Sequence, residues 1–137
     1  MKNKTKKMKN FPFISESTAL KLLRLCTGLL LAAHGCIRLY AGTVNGFGEF
    51  LNSKGFMIGP AIAWFLTIFE IAGGLLMAAG ILKKWIAAVF MIELIMGIIL
   101  VHATNGWFVV GYQSGGVEYS VLLIASLLLI AATGNKR

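Results

Sequence analysis

Several ionisable side chains in this sequence lie in or beside long apolar stretches, where a charge is costly. His34 and Arg38 are four residues apart, a spacing that puts both on one face of a helix. Glu70 lies near the middle of the second apolar stretch, His102 near the end of the third, and Glu118 at the start of the fourth. In an antiparallel bundle these residues gather toward one end, with Glu70 just beneath the others. The cluster predicts a ligand site or a proton pathway that opens at that end.

One hypothesis for the ligand is a quinone. His34 and His102 suit the carbonyl groups of a quinone, and nearby aromatic residues such as Trp64 and Trp107 suit its ring. A purely structural alternative stays open. In that alternative Arg38 pairs with Glu118 or Glu70, and the pair holds the helices together without a ligand.

Glu93 lies in the middle of the third apolar stretch and is harder to assign. It is nine residues from His102, which places the two side chains on opposite faces of a straight helix at roughly 100° per residue. We therefore expect that the two side chains cannot both point at one site. Glu93 either faces a partner subunit or packs against Glu70 as a pair that shares a proton, and the sequence leaves both options open.

Other cofactors fit the sequence poorly. His34 and His102 could ligate haem from two helices, but their depths differ by about 6 Å, which argues against a bis-histidine site. No metal is predicted, because a tetrahedral site lacks thiolates and a third clear ligand. Cys26 and Cys36 are ten residues apart on one predicted helix, too far for a disulfide, and no C-x-x-C motif indicates a dithiol centre.

Long apolar stretches must position these residues. The chain has 137 residues, of which 58% are hydrophobic and 13% charged, a composition typical of a membrane protein. We predict an all-α fold, an integral membrane four-helix bundle at 18–134, flanked by a basic tail at 1–17 and a short tail at 135–137. The predicted spans are about 18–41, 60–82, 84–104 and 117–134.

Two further patterns concern how the spans pack. Phe47, Phe50 and Leu51 have the i, i+3, i+4 spacing of a short helix that lies in the membrane interface, in the first outer loop. Small residues at Gly28, Ala32 and Cys36 form a stripe on the first span that predicts close approach of another helix.

Lysine and arginine determine the predicted orientation. Five lysines precede residue 10, Lys83 and Lys84 separate the second and third spans, and two basic residues end the chain, whereas the other loops carry only Lys54. The positive-inside rule then places both termini in the cytoplasm. Because the net charge of +8 is distributed in this way, the expected partner is the lipid bilayer and not nucleic acid.

Several segments, in order along the chain, resemble motifs of the DoxX family of small bacterial membrane proteins. The segment from His34 is similar to the HGxxK motif of that family, with Arg38 in place of the lysine, and Glu93 falls outside the pattern. The likeness extends over about 20–134. The other matching residues are Gly48, Phe50, Gly55, Gly59 and Pro60 of the outer loop, Glu70, Gly73, Gly74 and Gly80 of an ExxGG…G helix, His102, and Gly116, Glu118 and Tyr119 of a GxEY segment.

The resemblance implies a multi-pass protein of the bacterial plasma (inner) membrane. Some family members belong to redox systems, among them a thiosulfate:quinone oxidoreductase and a membrane complex that acts against oxidative stress. The chain contains no nucleophile–base pair, phosphate-binding loop or redox-cofactor motif, so electron transfer would need a bound cofactor or a partner protein.

These features together predict a redox-associated accessory subunit that binds quinone in the outer cluster, with a redox partner protein or a second copy of itself. Whether the chain is itself an enzyme stays open. The first alternative is a non-catalytic membrane interaction or assembly protein. The second alternative is a small-molecule transporter, although four short spans without an inverted repeat leave little room for alternating access.

Overall fold

The structure is a computed structural model that describes residue 11, residues 13–112 and residues 114–133. Most of the predicted tail at 1–17 and all of the predicted tail at 135–137 lie outside the described residues. Within the described ranges the chain is helical and contains no β-strand, which confirms the predicted all-α fold.

Five α-helices follow one another along the chain. The fourth, α4, continues through a π-helical turn at Ile98–His102 and a 3₁₀ turn at Ala103–Asn105. The helices are α1 (Glu16–Tyr40), α2 (Val44–Ser53), α3 (Gly59–Ala79), α4 (Lys83–Gly97) and α5 (Glu118–Ala132). Their bounds lie within a few residues of the predicted spans, and α2 confirms the predicted short helix.

Local sequence explains several of these boundaries. The Ser15 side chain accepts a hydrogen bond from the backbone N–H of Thr18 and caps the start of α1. Pro60 lies in the first turn of α3, where its missing N–H leaves no intrahelical hydrogen bond unmade. Gly80 ends α3 with a left-handed backbone at φ 86°, a conformation that glycine adopts without strain.

Three helical segments are long and apolar enough to cross a membrane: Glu16–Tyr40, Gly59–Ala79 and Lys83–Asn105. The fourth predicted span is represented by α5, an apolar helix of 15 residues. At 1.5 Å per residue α5 is about 22 Å long, whereas the hydrocarbon layer is about 30 Å thick. It is therefore shorter than the other three spans.

The contact between α1 and α3 depends on small residues. A Cβ atom added to Gly28 would lie 2.6 Å from the carbonyl oxygen of Gly74, so only glycine permits this approach. Ala32 is buried at the same contact, and Gly35 continues it against Thr67. The predicted stripe was wrong at its last position, because Cys36 is exposed. At about 100° per residue, Gly35 lies closer than Cys36 to the face that contains Gly28 and Ala32.

The four long helices form a closed bundle in which α1 contacts α3 and α5, and α4 contacts α3 and α5. Phe90 of α4, Met77 of α3 and Leu127 of α5 are fully buried where these helices meet. The short helix α2 packs on the first half of α3 through Val44, Leu51 and Ala63. We refer to this part of the molecule, where α1 ends and α3 begins, as the α2 end of the bundle.

Candidate functional site

A cavity of about 670 Å³ lies at the α2 end of the bundle, and residues from all five helices line it. Most of the lining side chains are leucine, isoleucine, valine and phenylalanine. The described polar side chains that line the cavity are His34, Arg38, Glu70, Glu93, His102, Tyr119 and Ser120. A mostly apolar cavity with a few convergent polar groups is the usual form of a small-molecule site.

A two-point ion pair between Arg38 and Glu70 is the central polar feature of this cavity. Arg38 donates from Nη1 to Oε2 of Glu70 at 2.6 Å and from Nη2 to Oε1 at 3.1 Å. The Nη1 group also donates to the Thr67 hydroxyl at 3.2 Å. The side chains of Arg38 and Glu70 are only 14% and 6% exposed, so the pair is largely removed from solvent. Such a bidentate contact fixes both side chains in orientation as well as in distance.

The neighbouring helices determine where this ion pair lies. Gly35 faces Thr67 and Glu70 so closely that an added Cβ atom would lie 2.8 Å from the Thr67 carbonyl oxygen, so glycine lets α1 and α3 meet at this level. Phe47 of α2 places its ring centroid 4.6 Å from the guanidinium carbon of Arg38, a cation–π contact that covers one face of the guanidinium group.

The Arg38 contact determines which ring nitrogen of His34 carries the proton. Nδ1 of His34 lies 3.3 Å from Nη2 of Arg38. Nδ1 also lies 3.6 Å from Oε1 of Glu70, which is longer than a hydrogen bond. A guanidinium group only donates, so in the shorter contact with Arg38 Nδ1 accepts, and this tautomer of a neutral His34 has its proton on Nε2. The His34 side chain is 71% exposed, and its Nε2–H group is therefore available to a ligand.

His102 has the opposite arrangement. Its Nδ1 atom lies 2.7 Å from the backbone carbonyl oxygen of Gly115. A carbonyl oxygen only accepts, so Nδ1 carries the proton and Nε2 of a neutral His102 offers a lone pair. The cavity thus contains one imidazole that can donate and one that can accept.

Glu93 and His102 line the same cavity, contrary to the expectation that they face opposite sides of a helix. The reason is the π-helical turn at Ile98–His102, which lies between them. Hydrogen bonds from residue i to i+5 widen the helix, so each residue turns through a smaller angle and His102 does not complete the half-turn. Of the two options for Glu93, the contact with Glu70 agrees with the structure, because both side chains line the same cavity.

Three sequence-predicted site residues are not among the described residues that line the cavity. Glu118 accepts a hydrogen bond from the backbone N–H of Val109 at 2.9 Å and so anchors the segment between α4 and α5. The indole N–H of Trp64 donates to Asn45 at 3.3 Å, and Trp107 lies in the segment that Glu118 anchors. The structure therefore brings His34, Arg38, Glu70 and His102 together without Glu118 or either tryptophan.

Several lining residues were missed in the sequence. The aromatic side chains of the cavity are Phe47, Phe50, Phe56, Phe65 and Tyr119. Phe47 and Phe50 had a detectable signal in the pattern that predicted α2, but it was interpreted only as a membrane-facing surface. Thr67 precedes Glu70 by three residues on α3, and this i, i+3 spacing could have identified it as a second partner of Arg38.

Comparisons with known proteins agree with the likeness noted in the sequence. The model of the family described as DoxX matches residues 19–103, a stretch that includes every polar lining residue named above except Tyr119 and Ser120. The chain is also similar to "Putative oxidoreductase CatD" of Bacillus subtilis (strain 168). The two are 27% identical over 117 residues, which cover 84% of this chain and 78% of the relative. No solved structure matches.

Proposed function

The chain belongs to the DoxX family, and we propose that it is a redox-associated accessory subunit of the bacterial plasma membrane that binds quinone in the cavity at its α2 end. The oxidoreductase name of the Bacillus subtilis relative supports the redox association. The apolar lining and the volume of about 670 Å³ support a ligand with a hydrophobic ring.

The observation that carries the proposal is the pair of imidazoles with complementary free nitrogens. A quinone carbonyl accepts hydrogen bonds, and Nε2–H of His34 is a donor for it. A quinol hydroxyl donates, and Nε2 of His102 is an acceptor for it. The cavity thus offers one matching partner for each redox state, and Phe47 and Phe50 offer apolar rings on which the ligand can pack.

In this proposal the chain holds the quinone and a partner protein exchanges electrons with it. Reduction of a quinone to a quinol takes up two electrons and two protons, and the electrons would come from a reduced cofactor of the partner. The role of the chain's own residues is to bind the head group, to orient its oxygen atoms and to surround its ring with apolar side chains.

The test is a calorimetric titration of detergent-purified protein with duroquinone, a quinone whose ring carbons are all substituted and do not react with thiols. We expect the His34→Ala, His102→Ala double variant to bind at least tenfold more weakly, since it loses both hydrogen-bonding partners. Glu49→Gln is the matched control, because Glu49 is an exposed residue of α2. Equal affinities of the wild type and the double variant rule out this site.

Mass spectrometry of the organic extract addresses the native ligand. A quinone present in stoichiometric amount supports the proposal. An extract that contains only bulk phospholipid, together with no duroquinone binding, favours the second candidate, a non-catalytic assembly protein. The observation behind that candidate is the Arg38–Glu70 pair, which already joins α1 to α3 without any ligand.

A further inference from the structure

Glu93 is a partly buried polar residue of the cavity that quinone binding by the two histidines does not use. It projects from the middle of α4 and lines the cavity. Its Oε2 atom is buried, and no N–H or O–H group among the described residues donates a hydrogen bond to it. A buried carboxylate without a donor is costly in an apolar setting, so its protonation state needs an explanation.

The titratable and charged groups around Glu93 come from four helices. The carboxyl group of Glu70 lines the same cavity and interacts electrostatically with that of Glu93. Helix α2 contributes only apolar side chains to the described lining. The titratable and charged residues that line the cavity with Glu93 are His34 and Arg38 of α1, Glu70 of α3, His102 after α4, and Tyr119 of α5.

One proton accounts for both observations. If Glu70 and Glu93 were both ionised, the cavity would contain two negative charges and, among its described lining residues, one arginine. A hydrogen bond between two carboxyl groups requires one of them to carry a proton. Glu70 accepts two hydrogen bonds from Arg38, so Glu70 is the carboxylate. Glu93 then supplies the hydrogen atom itself and needs no other donor.

We propose that Glu93 is a neutral carboxylic acid that donates to Glu70 in the empty cavity and turns its O–H group to an oxygen atom of the bound ligand. The ligand class rests on the proposed function. The change is a switch of hydrogen-bond acceptor in which no covalent bond breaks and no electron moves. With Nε2–H of His34, the O–H of Glu93 gives the cavity two donors, which fits a ligand with two acceptor oxygens, such as the oxidised form of a quinone.

The first experiment measures the proton without any ligand. Infrared spectra of the detergent-purified protein at neutral pH should contain the C=O stretching band of a buried carboxylic acid. We expect this band to be lost in Glu93→Gln and to persist in Glu49→Gln, which removes an exposed carboxylate. A wild-type spectrum without the band, or a band unchanged in Glu93→Gln, overturns the assignment of the proton to Glu93.

The second experiment measures the ligand contact by titration with duroquinone over a range of pH. Glu93→Leu removes the donor and should bind about tenfold more weakly, whereas Glu93→Gln keeps an N–H donor and should bind nearly as well as the wild type. Wild-type affinity should fall as the pH rises and Glu93 loses its proton, and Glu93→Gln should show no such fall. Equal pH profiles of the wild type and Glu93→Gln overturn the contact with the ligand.

The two experiments separate the two proposals. If the infrared band behaves as expected and no variant binds duroquinone, the quinone proposal and the ligand contact both fail, while the shared proton is supported. If duroquinone binds through the histidines and the band is absent, the further inference fails and the proposed function stands.

Discussion

The ion pair between Arg38 and Glu70 provides the sharpest test of the fold. The perturbation is a double-mutant cycle with Arg38→Met and Glu70→Gln, alone and together. Each single substitution leaves one member of a largely buried pair without its partner, since the two side chains are only 14% and 6% exposed. Removing one partner of a buried ion pair generally lowers the free energy of unfolding by about 3–5 kcal/mol, whereas replacing both partners with apolar residues often leaves it nearly unchanged.

The structure places the expected values at the lower end of that range. In Glu70→Gln, Arg38 still donates to Thr67 at 3.2 Å and to His34 at 3.3 Å, so its charge remains partly hydrogen-bonded. The exposed His34 side chain lets solvent reach this edge of the pair. We therefore expect each single variant to lower the free energy of unfolding by about 3 kcal/mol, and the double variant to cost less than either.

Unfolding in mixed micelles of mild detergent and dodecyl sulfate, followed by far-UV circular dichroism, measures these free energies. Arg24→Met is the matched control on the same helix, because Arg24 donates to the backbone carbonyl of Ala78 at 3.3 Å and forms no ion pair within the described residues. Arg24→Met should lower the free energy of unfolding by about 1 kcal/mol, the usual net contribution of one hydrogen bond. Single variants that cost no more than this control, or a double variant whose cost equals the sum of the singles, would refute the energetic role of the pair.

Two further predictions concern the elements that position the site. Gly28→Leu should separate α1 from α3 and lower the melting temperature in detergent by several degrees, because its Cβ atom would lie 2.6 Å from a backbone carbonyl oxygen. Gly46→Ala is its control, since nothing lies within 4 Å of the added atom, and equal losses for both variants would contradict the close contact. Deletion of Ile99, a mostly exposed residue of the π-helical turn, should restore a regular helix, rotate His102 away from the cavity and weaken duroquinone binding about as much as His102→Ala does. Unchanged binding by a folded deletion variant would show that the turn does not position His102.

The features that the sequence predicted well depend on local spacing. The i, i+4 spacing placed His34 and Arg38 on one face, and the i, i+3, i+4 pattern of apolar residues predicted α2. Four apolar stretches predicted four long helices, although α5 is shorter than the stretch from which it was predicted. Local spacing determines the angular position of a residue on its own helix, so these predictions did not require knowledge of any tertiary contact.

Features that depend on contacts between elements could not be obtained in this way. The sequence left Arg38 a choice between Glu70 and Glu118, and the choice was made by the approach of α1 to α3 at Gly28 and Gly35. Glu118 instead binds a backbone N–H in the segment before α5, a partner that no side-chain pattern indicates. Trp64 and Trp107 were proposed as ligand contacts because their rings suit a quinone and they lie near the predicted cluster. Which aromatic side chains line the cavity depends on tertiary contacts that the sequence does not contain.

Glu93 separates the two candidate functions more clearly than the ion pair does. The Arg38–Glu70 contact pairs a carboxylate with a guanidinium group and joins two helices. The same contact would therefore be expected in a protein that binds no ligand. Glu93 has a weaker structural justification even if it donates to Glu70, because no group among the described residues donates to its buried Oε2 atom and a leucine of similar size would pack against the same apolar lining without that polar cost. If the cavity had only a structural role, Glu93→Leu should therefore raise the free energy of unfolding in mixed micelles and leave every binding measurement unchanged. If the acid serves a ligand, the same substitution should stabilise the empty bundle and weaken duroquinone binding, a trade of stability against function that is common at binding sites.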